Sequence, residues 1–119
     1  MKKLLIFAAL AEAGFGLLLL AYPPIVARLL FAADLSGAGV IIGRLTGMCL
    51  IALGIACWPD NDSRNAFYGM LTWSVLAMLY LIIVGVSGSA GILLWPAVVV
   101  HAAIAVGLFV LRRSQIAGK

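Results

Sequence analysis

The chain has 119 residues, of which 66% are hydrophobic and 10% are charged, whereas soluble proteins average about 45–50% and about 25%. A soluble domain of this length leaves too much surface exposed to bury so many apolar side chains, so the composition excludes a soluble globular protein. The net charge of +4 does not indicate nucleic-acid binding, because most of the basic residues lie at the chain ends and in one loop.

The first apolar segment, residues 4–22, predicts a transmembrane helix. Its start resembles a secretory signal peptide, and Ala11-Glu12-Ala13 resembles a cleavage site. Hydrophobicity continues without a break through Tyr22, so the segment is long enough to span a bilayer and we expect no cleavage. The pair Pro23-Pro24 ends this helix, because proline cannot donate a backbone hydrogen bond.

The next segment, residues 25–35, predicts a short helix that lies in the membrane interface. Apolar residues such as Ile25 and Leu29 alternate there with Arg28 and Asp34. Such spacing gives the helix one apolar and one polar side, and the segment is too short to span a bilayer.

The second span, residues 38–58, carries glycines at four-residue spacing and the cation Arg44. Small residues allow transmembrane helices to approach closely, so this glycine stripe predicts a packing surface. Two interpretations stay open: packing against the first or third span of the same chain, or an interface in a homo- or hetero-oligomer. The glycine stripe consists of Gly39, Gly43, Gly47 and, further along, Gly54.

The third span covers residues 66–86 and the fourth residues 92–111. A polar loop, residues 60–65, precedes the third span, and a short uncharged turn separates the two spans. Arg112 and Arg113 are expected to end the fourth. The predicted fold is therefore an all-α integral membrane protein, in which residues 1–119 form one domain of four antiparallel transmembrane helices with a short interfacial helix between the first two.

The distribution of basic residues predicts the orientation in the membrane. Cytoplasmic segments of membrane proteins are enriched in lysine and arginine. With both termini in the cytoplasm, the outer side holds Arg28 alone, which suits a multi-pass protein of the bacterial inner (plasma) membrane. The cytoplasmic set is Lys2, Lys3, Arg64, Arg112, Arg113 and Lys119.

Three ionisable residues lie within the predicted spans: Glu12, Arg44 and His101. A charge near the middle of a bilayer costs about 2.5–3.5 kcal/mol on insertion scales, so such groups are expected to find partners. One hypothesis is a polar cluster of all three that forms a functional site. A second is a structural Glu12–Arg44 ion pair with His101 hydrogen-bonded elsewhere. A third is that Arg44 extends outward to the membrane surface.

The fourth span contains Ala97, His101 and Ala105 at four-residue spacing. This arrangement resembles light-harvesting polypeptides, in which small residues let a bacteriochlorophyll lie beneath its histidine ligand. The resemblance implies a tetrapyrrole at His101 as an alternative to the expectation that no cofactor is bound.

The overall layout resembles small bacterial four-span membrane proteins of the DoxX-like kind. The resemblance lies in the first span ending at Pro23-Pro24, the amphipathic link of residues 26–31 and the sequence from Gly43 to Gly54. Some members of that group are described as subunits of membrane oxidoreductases. The resemblance therefore implies an accessory role, without implying a role for any residue.

These observations favour a non-catalytic accessory, structural or assembly subunit of a larger membrane complex, although an enzymatic role stays open. Its expected partners are the lipid bilayer and another membrane protein, or a second copy bound through the second span; no nucleic acid and no metal are expected. The alternative is a small transporter or ligand-binding protein. That protein would use Glu12, Arg44 and His101 for a proton, a quinone or an anionic ligand.

Overall fold

The structure is a computed structural model that describes residues 1–118. Lys119, which the charge distribution assigns to the cytoplasmic side, lies outside the described residues. The described part of the chain is all-helical and contains no strand. Its five helices are α1 (Lys2–Ala21), α2 (Pro23–Phe31), α3 (Ala38–Ala56), α4 (Arg64–Val86) and α5 (Leu94–Ala117).

Four of these helices, α1, α3, α4 and α5, are long and apolar enough to cross a membrane. They confirm the four apolar helices predicted from the sequence. The largest difference lies in α5, which continues past Arg112 and Arg113 to Ala117. Arginine is a good helix former, so the two charges end the apolar segment but not the helical backbone.

The short helix α2 begins at Pro23 itself rather than after the proline pair. Proline suits the first turn of a helix, because the amide hydrogen that it lacks has no partner there in any case. Val26 and Leu30 are buried, whereas Arg28 is exposed and donates a hydrogen bond of 2.8 Å to the Asp34 carboxylate. The hydrogen bond to Asp34 raises the pKa of Arg28 above its ordinary value.

Helices α1 and α3 form the closest helix pair. A Cβ atom on Gly47 would lie 2.6 Å from the carbonyl oxygen of Gly16, and one on Gly54 would lie 2.7 Å from the carbonyl oxygen of Ala9. Gly47 thus meets the later part of α1, and Gly54, further along α3, meets the earlier part of α1. Any side chain at Gly47 or Gly54 would force the two backbones apart.

The first two glycines of the stripe also contact their own chain. A Cβ atom on Gly43 would lie 2.8 Å from Cβ of Pro23, and one on Gly39 would lie 2.9 Å from the Leu35 side chain. All four glycines of the stripe therefore face neighbours within the same molecule. The structure supports the first of the two interpretations of the glycine stripe.

Helices α4 and α5 form a second pair, and contacts between the two pairs are much fewer than those within them. Helix α2 is joined to the α4–α5 turn by two backbone hydrogen bonds of 2.8 Å, in which the amides of Gly91 and Leu93 donate to the carbonyls of Leu30 and Leu29. These bonds satisfy carbonyl groups near the end of α2 that have no partner within the helix. They hold α2 across one end of the space between the pairs.

Candidate functional site

A cleft of about 570 Å³ lies between the two helix pairs, and all five described helices contribute to its wall. Most of the lining is apolar. Some lining residues, including Thr46, Tyr80 and Val100, are exposed, so the cleft is open to its surroundings. Three polar side chains in the wall lie well inside their helices: Glu12 and Trp73 near the middle of α1 and α4, and His101 about two turns into α5.

Glu12 is held in this wall by the small-residue face of α1. Ala8, Ala9 and Gly16 lie on the same side of the helix as Glu12, and all are buried. This face is turned into the protein because the close contact with α3 requires its small residues. Glu12 is consequently only 6% exposed.

His101 faces Glu12 from the opposite helix pair. Its Nδ1 atom lies 3.9 Å from Oε1 of Glu12, which is too long for a direct hydrogen bond but close enough for an electrostatic interaction. The ring of Trp73 meets the His101 ring edge to face, with centroids 6.3 Å apart. The Trp73 indole N–H approaches the Glu12 carboxylate without good hydrogen-bond geometry.

Two polar atoms at the cleft are buried without a hydrogen-bond partner among residues 1–118: Nε1 of Trp73 and Nδ1 of His101. A buried polar group without a partner costs about 1–3 kcal/mol. Both atoms belong to side chains that line the cleft.

The structure does not place Arg44 in this group with Glu12, Trp73 and His101. Arg44 is exposed, does not line the cleft, and forms no ion pair or side-chain hydrogen bond with any described residue. The contacts of Gly47 and Gly54 with α1 place Glu12 level with about residue 53. That position is about nine residues beyond Arg44, or about 13 Å at about 1.5 Å per residue.

This offset has a physical cause. The glycine contacts set how far α3 is shifted along α1, and that shift leaves Arg44 level with the end of α1, beside Gly43 and Pro23. Near the end of a span, a long arginine side chain can extend to the polar membrane surface. The position agrees with the third interpretation of Arg44, in which it extends outward.

The alanine spacing around His101 does not create one open helix face. Ala97 and His101 line the cleft, but Ala105 is buried in the protein and does not line it. Within residues 1–118, no three His, Cys, Asp or Glu side chains come close enough together to hold a metal ion.

Trp73 is the site residue that the sequence reasoning missed. Tryptophan in a membrane helix is enriched at the two interfaces, whereas Trp73 lies near the middle of α4. A buried indole N–H usually finds a hydrogen-bond partner. A tryptophan in mid-span was therefore an available signal for a polar site.

Comparison with known proteins finds no match: no family model, no curated protein and no solved structure is significantly similar to this chain. The geometry of the cleft is therefore the basis for assigning a function.

Proposed function

We propose that this chain is a membrane protein that binds a lipid-soluble small molecule in the cleft between its two helix pairs. In this role Glu12, Trp73 and His101 hold the polar group of the ligand. The observation that carries the proposal is a pair of buried nitrogen atoms, on Trp73 and His101, that lack hydrogen-bond partners in the described structure and belong to side chains lining an apolar cavity.

The dimensions of the cleft support a ligand of modest size. Small-molecule sites typically have volumes of about 300–1,000 Å³ and apolar walls with a few polar groups, and this cleft has about 570 Å³. Leu19, Leu30 and Ile104 are among its apolar lining residues. They would cover the hydrocarbon part of a ligand, which enters from the lipid.

The membrane arrangement is part of the proposal. Four antiparallel spans, α1, α3, α4 and α5, cross the bacterial inner membrane with both termini in the cytoplasm, and α2 lies in the outer interface. The excess of lysine and arginine at the chain ends and in the α3–α4 loop supports this orientation. Glu12 and His101 are then near the middle of the bilayer, where a polar ligand group has few other partners.

The position of Arg44 narrows the ligand class. Because Arg44 lies outside the cleft, the described lining contains no lysine or arginine. An anionic ligand would have only His101 as a counter-charge, beside the acidic Glu12. The cleft therefore favours a neutral or cationic ligand over the anionic one considered from the sequence; a quinone remains one of the neutral alternatives.

The test is to identify and quantify small molecules that co-purify with the protein. The wild type is expected to retain one lipid-soluble compound, enriched over bulk lipid, in mass spectra of organic extracts. Ala77→Phe fills the cleft that Ala77 lines and is expected to reduce retention at least about tenfold, which corresponds to about 1.4 kcal/mol of binding free energy.

Ala103→Phe is the matched control, because Ala103 is exposed on α5 and does not line the cleft. It is expected to retain the compound at the wild-type level. Equal retention by both variants would place any bound compound outside the cleft and contradict the proposal.

The second candidate is a non-catalytic accessory subunit of a larger membrane complex. The connections between the described spans are short, the longest being residues 22–37 with α2 inside them, so they leave little room for a catalytic domain. The resemblance of the layout to DoxX-like proteins also agrees with this role.

Because the glycine stripe contacts its own chain, a partner or second copy would bind the exposed side of α3, which includes Ile41, Leu45 and Ile55. Recovery of a stoichiometric larger partner from native membranes would support it.

A further inference from the structure

We infer that the ligand of the cleft is a lipophilic organic cation, and that its binding releases one proton from the Glu12–His101 pair. This inference rests on the proposed function and assigns a ligand class to the same site. It is carried by the charges, the aromatic lining and the depth of the cleft.

The charges at the cleft favour a cation. Glu12 is the one carboxylate among the lining residues that the structure describes, and it is 6% exposed. Asp34 lies outside the cleft and is paired with Arg28. A carboxylate with so little access to solvent attracts a positive ligand strongly, because little water screens the interaction.

The aromatic lining points to the same class of ligand. Aromatic side chains reach the cleft from three helices: Phe15 on α1, Phe31 on α2, and Trp73 and Tyr80 on α4. The faces of aromatic rings attract cations. The attraction is strongest for tryptophan, and it increases when the cation is desolvated. A cation with apolar substituents gains both this attraction and the burial of its hydrocarbon in the cleft.

The depth of Glu12 explains the release of a proton. A lone carboxylate near the middle of a bilayer is unfavourable, so in the empty cleft the Glu12–His101 pair keeps one proton, either on the carboxyl group or on the imidazole 3.9 Å away. A bound cation replaces the charge of that proton. The proton then leaves to solvent, the carboxylate pairs with the cation, and the net charge of the site does not change.

No other titratable group around Glu12 offers a second carboxylate to pair with the cation. On α5 the facing group is His101, and on α4 it is Tyr80, which also lines the cleft. Next to the end of α3, Cys57 has a buried thiol that does not line the cleft. Helix α2 contributes no titratable side chain to the described lining.

The experiment measures the binding of tetraphenylphosphonium, a lipophilic cation without a titratable proton, to the full chain in detergent. Calorimetry in two buffers with different ionisation enthalpies counts the protons released, and one per bound cation is expected. The affinity is expected to rise about tenfold for each unit of pH increase wherever the empty pair is protonated, because the cation and the proton compete. Binding that is independent of pH, with no proton released, would overturn the inference.

Two variants test the role of the Glu12 carboxyl group. Glu12→Gln is expected to lose the proton release and to bind the cation at least about tenfold more weakly, a loss of about 1.4 kcal/mol. Glu12→Asp keeps the carboxyl group and should retain the release. Proton counting on the wild type does not depend on the folding of either variant.

Triphenylphosphine oxide, a neutral molecule of similar shape, separates this inference from the proposed function. If it binds and the cation does not, the cleft binds ligands but the assignment of a cation is wrong. If neither probe binds, both the proposed function and the inference fail. If the cation binds at least about tenfold more tightly than the oxide, a difference of about 1.4 kcal/mol, and releases a proton, both are supported.

Discussion

At the scale of single residues, Glu12 and Arg44 show how much the shift between two helices matters. Both are ionisable and lie in apolar segments, yet Glu12 is buried in the wall of the cleft and Arg44 is exposed. The buried small residues beside Glu12 on α1 share the face that turns into the protein. Whether Glu12 would meet Arg44 or His101 depended on distances along the helix axes, which the pattern of one helix does not contain.

Double-mutant cycles test this arrangement. The effects of Glu12→Gln and Arg44→Gln on the free energy of unfolding are expected to add within about 0.3–0.5 kcal/mol, as for residues that share no partner. The cycle of Glu12→Gln and His101→Gln is expected to show a coupling of about 0.5–3 kcal/mol, because these residues face each other. The measurement is unfolding by SDS titration in mixed micelles. Coupling in the first cycle and additivity in the second would contradict the structure.

At the scale of elements, the contact between α1 and α3 sets the frame of the site. Gly47 and Gly54 lie so close to the α1 backbone that a Cβ atom would not fit. This contact turns the small-residue face of α1, including Glu12, into the protein. The same contact buries Gly47 and Gly54, so these two glycines of the stripe stabilise the pair that positions the site.

Gly47→Ala is expected to lower the free energy of unfolding by about 1–3 kcal/mol, because the new methyl group collides with backbone atoms that cannot easily move. Gly14→Ala on α1 is the matched control, since no other part of the described chain lies within 4 Å of a Cβ atom there. It should change stability by no more than about 0.5 kcal/mol. Circular dichroism during SDS titration measures both. Equal effects of the two substitutions would contradict the close contact.

At the scale of the whole molecule, the cleft exists because the two helix pairs pack well internally and only weakly against each other. Helix α2 spans the gap at one end through its backbone hydrogen bonds to the α4–α5 turn. The core beside the cleft, which includes Leu5, Met70 and Leu108, holds the pairs together on the other side of Glu12. The space between the pairs is thus closed at its ends and open along its side.

The proposed orientation predicts the labelling of single cysteines in intact cells. In a variant with Cys49 and Cys57 replaced by alanine, Ser36→Cys is expected to react with a membrane-impermeant maleimide from outside. Ser114→Cys, at the end of α5 that the proposed orientation assigns to the cytoplasm, should react only after permeabilisation. Ser36 and Ser114 are both exposed, so access to the reagent depends on the side of the membrane. The reverse labelling pattern would overturn the proposed orientation.

The sequence alone determined the four apolar helices and the presence of a short helix at the prolines. These features depend on the length of apolar runs and on proline chemistry, which are both local. The tertiary structure decided that His101 and Trp73, rather than Arg44, face Glu12, and that a cleft lies between them. Those features depend on which helices pair and how far they shift along each other. Here the shift is set by close backbone contacts at Gly47 and Gly54, and such contacts exist only once both helices are in place.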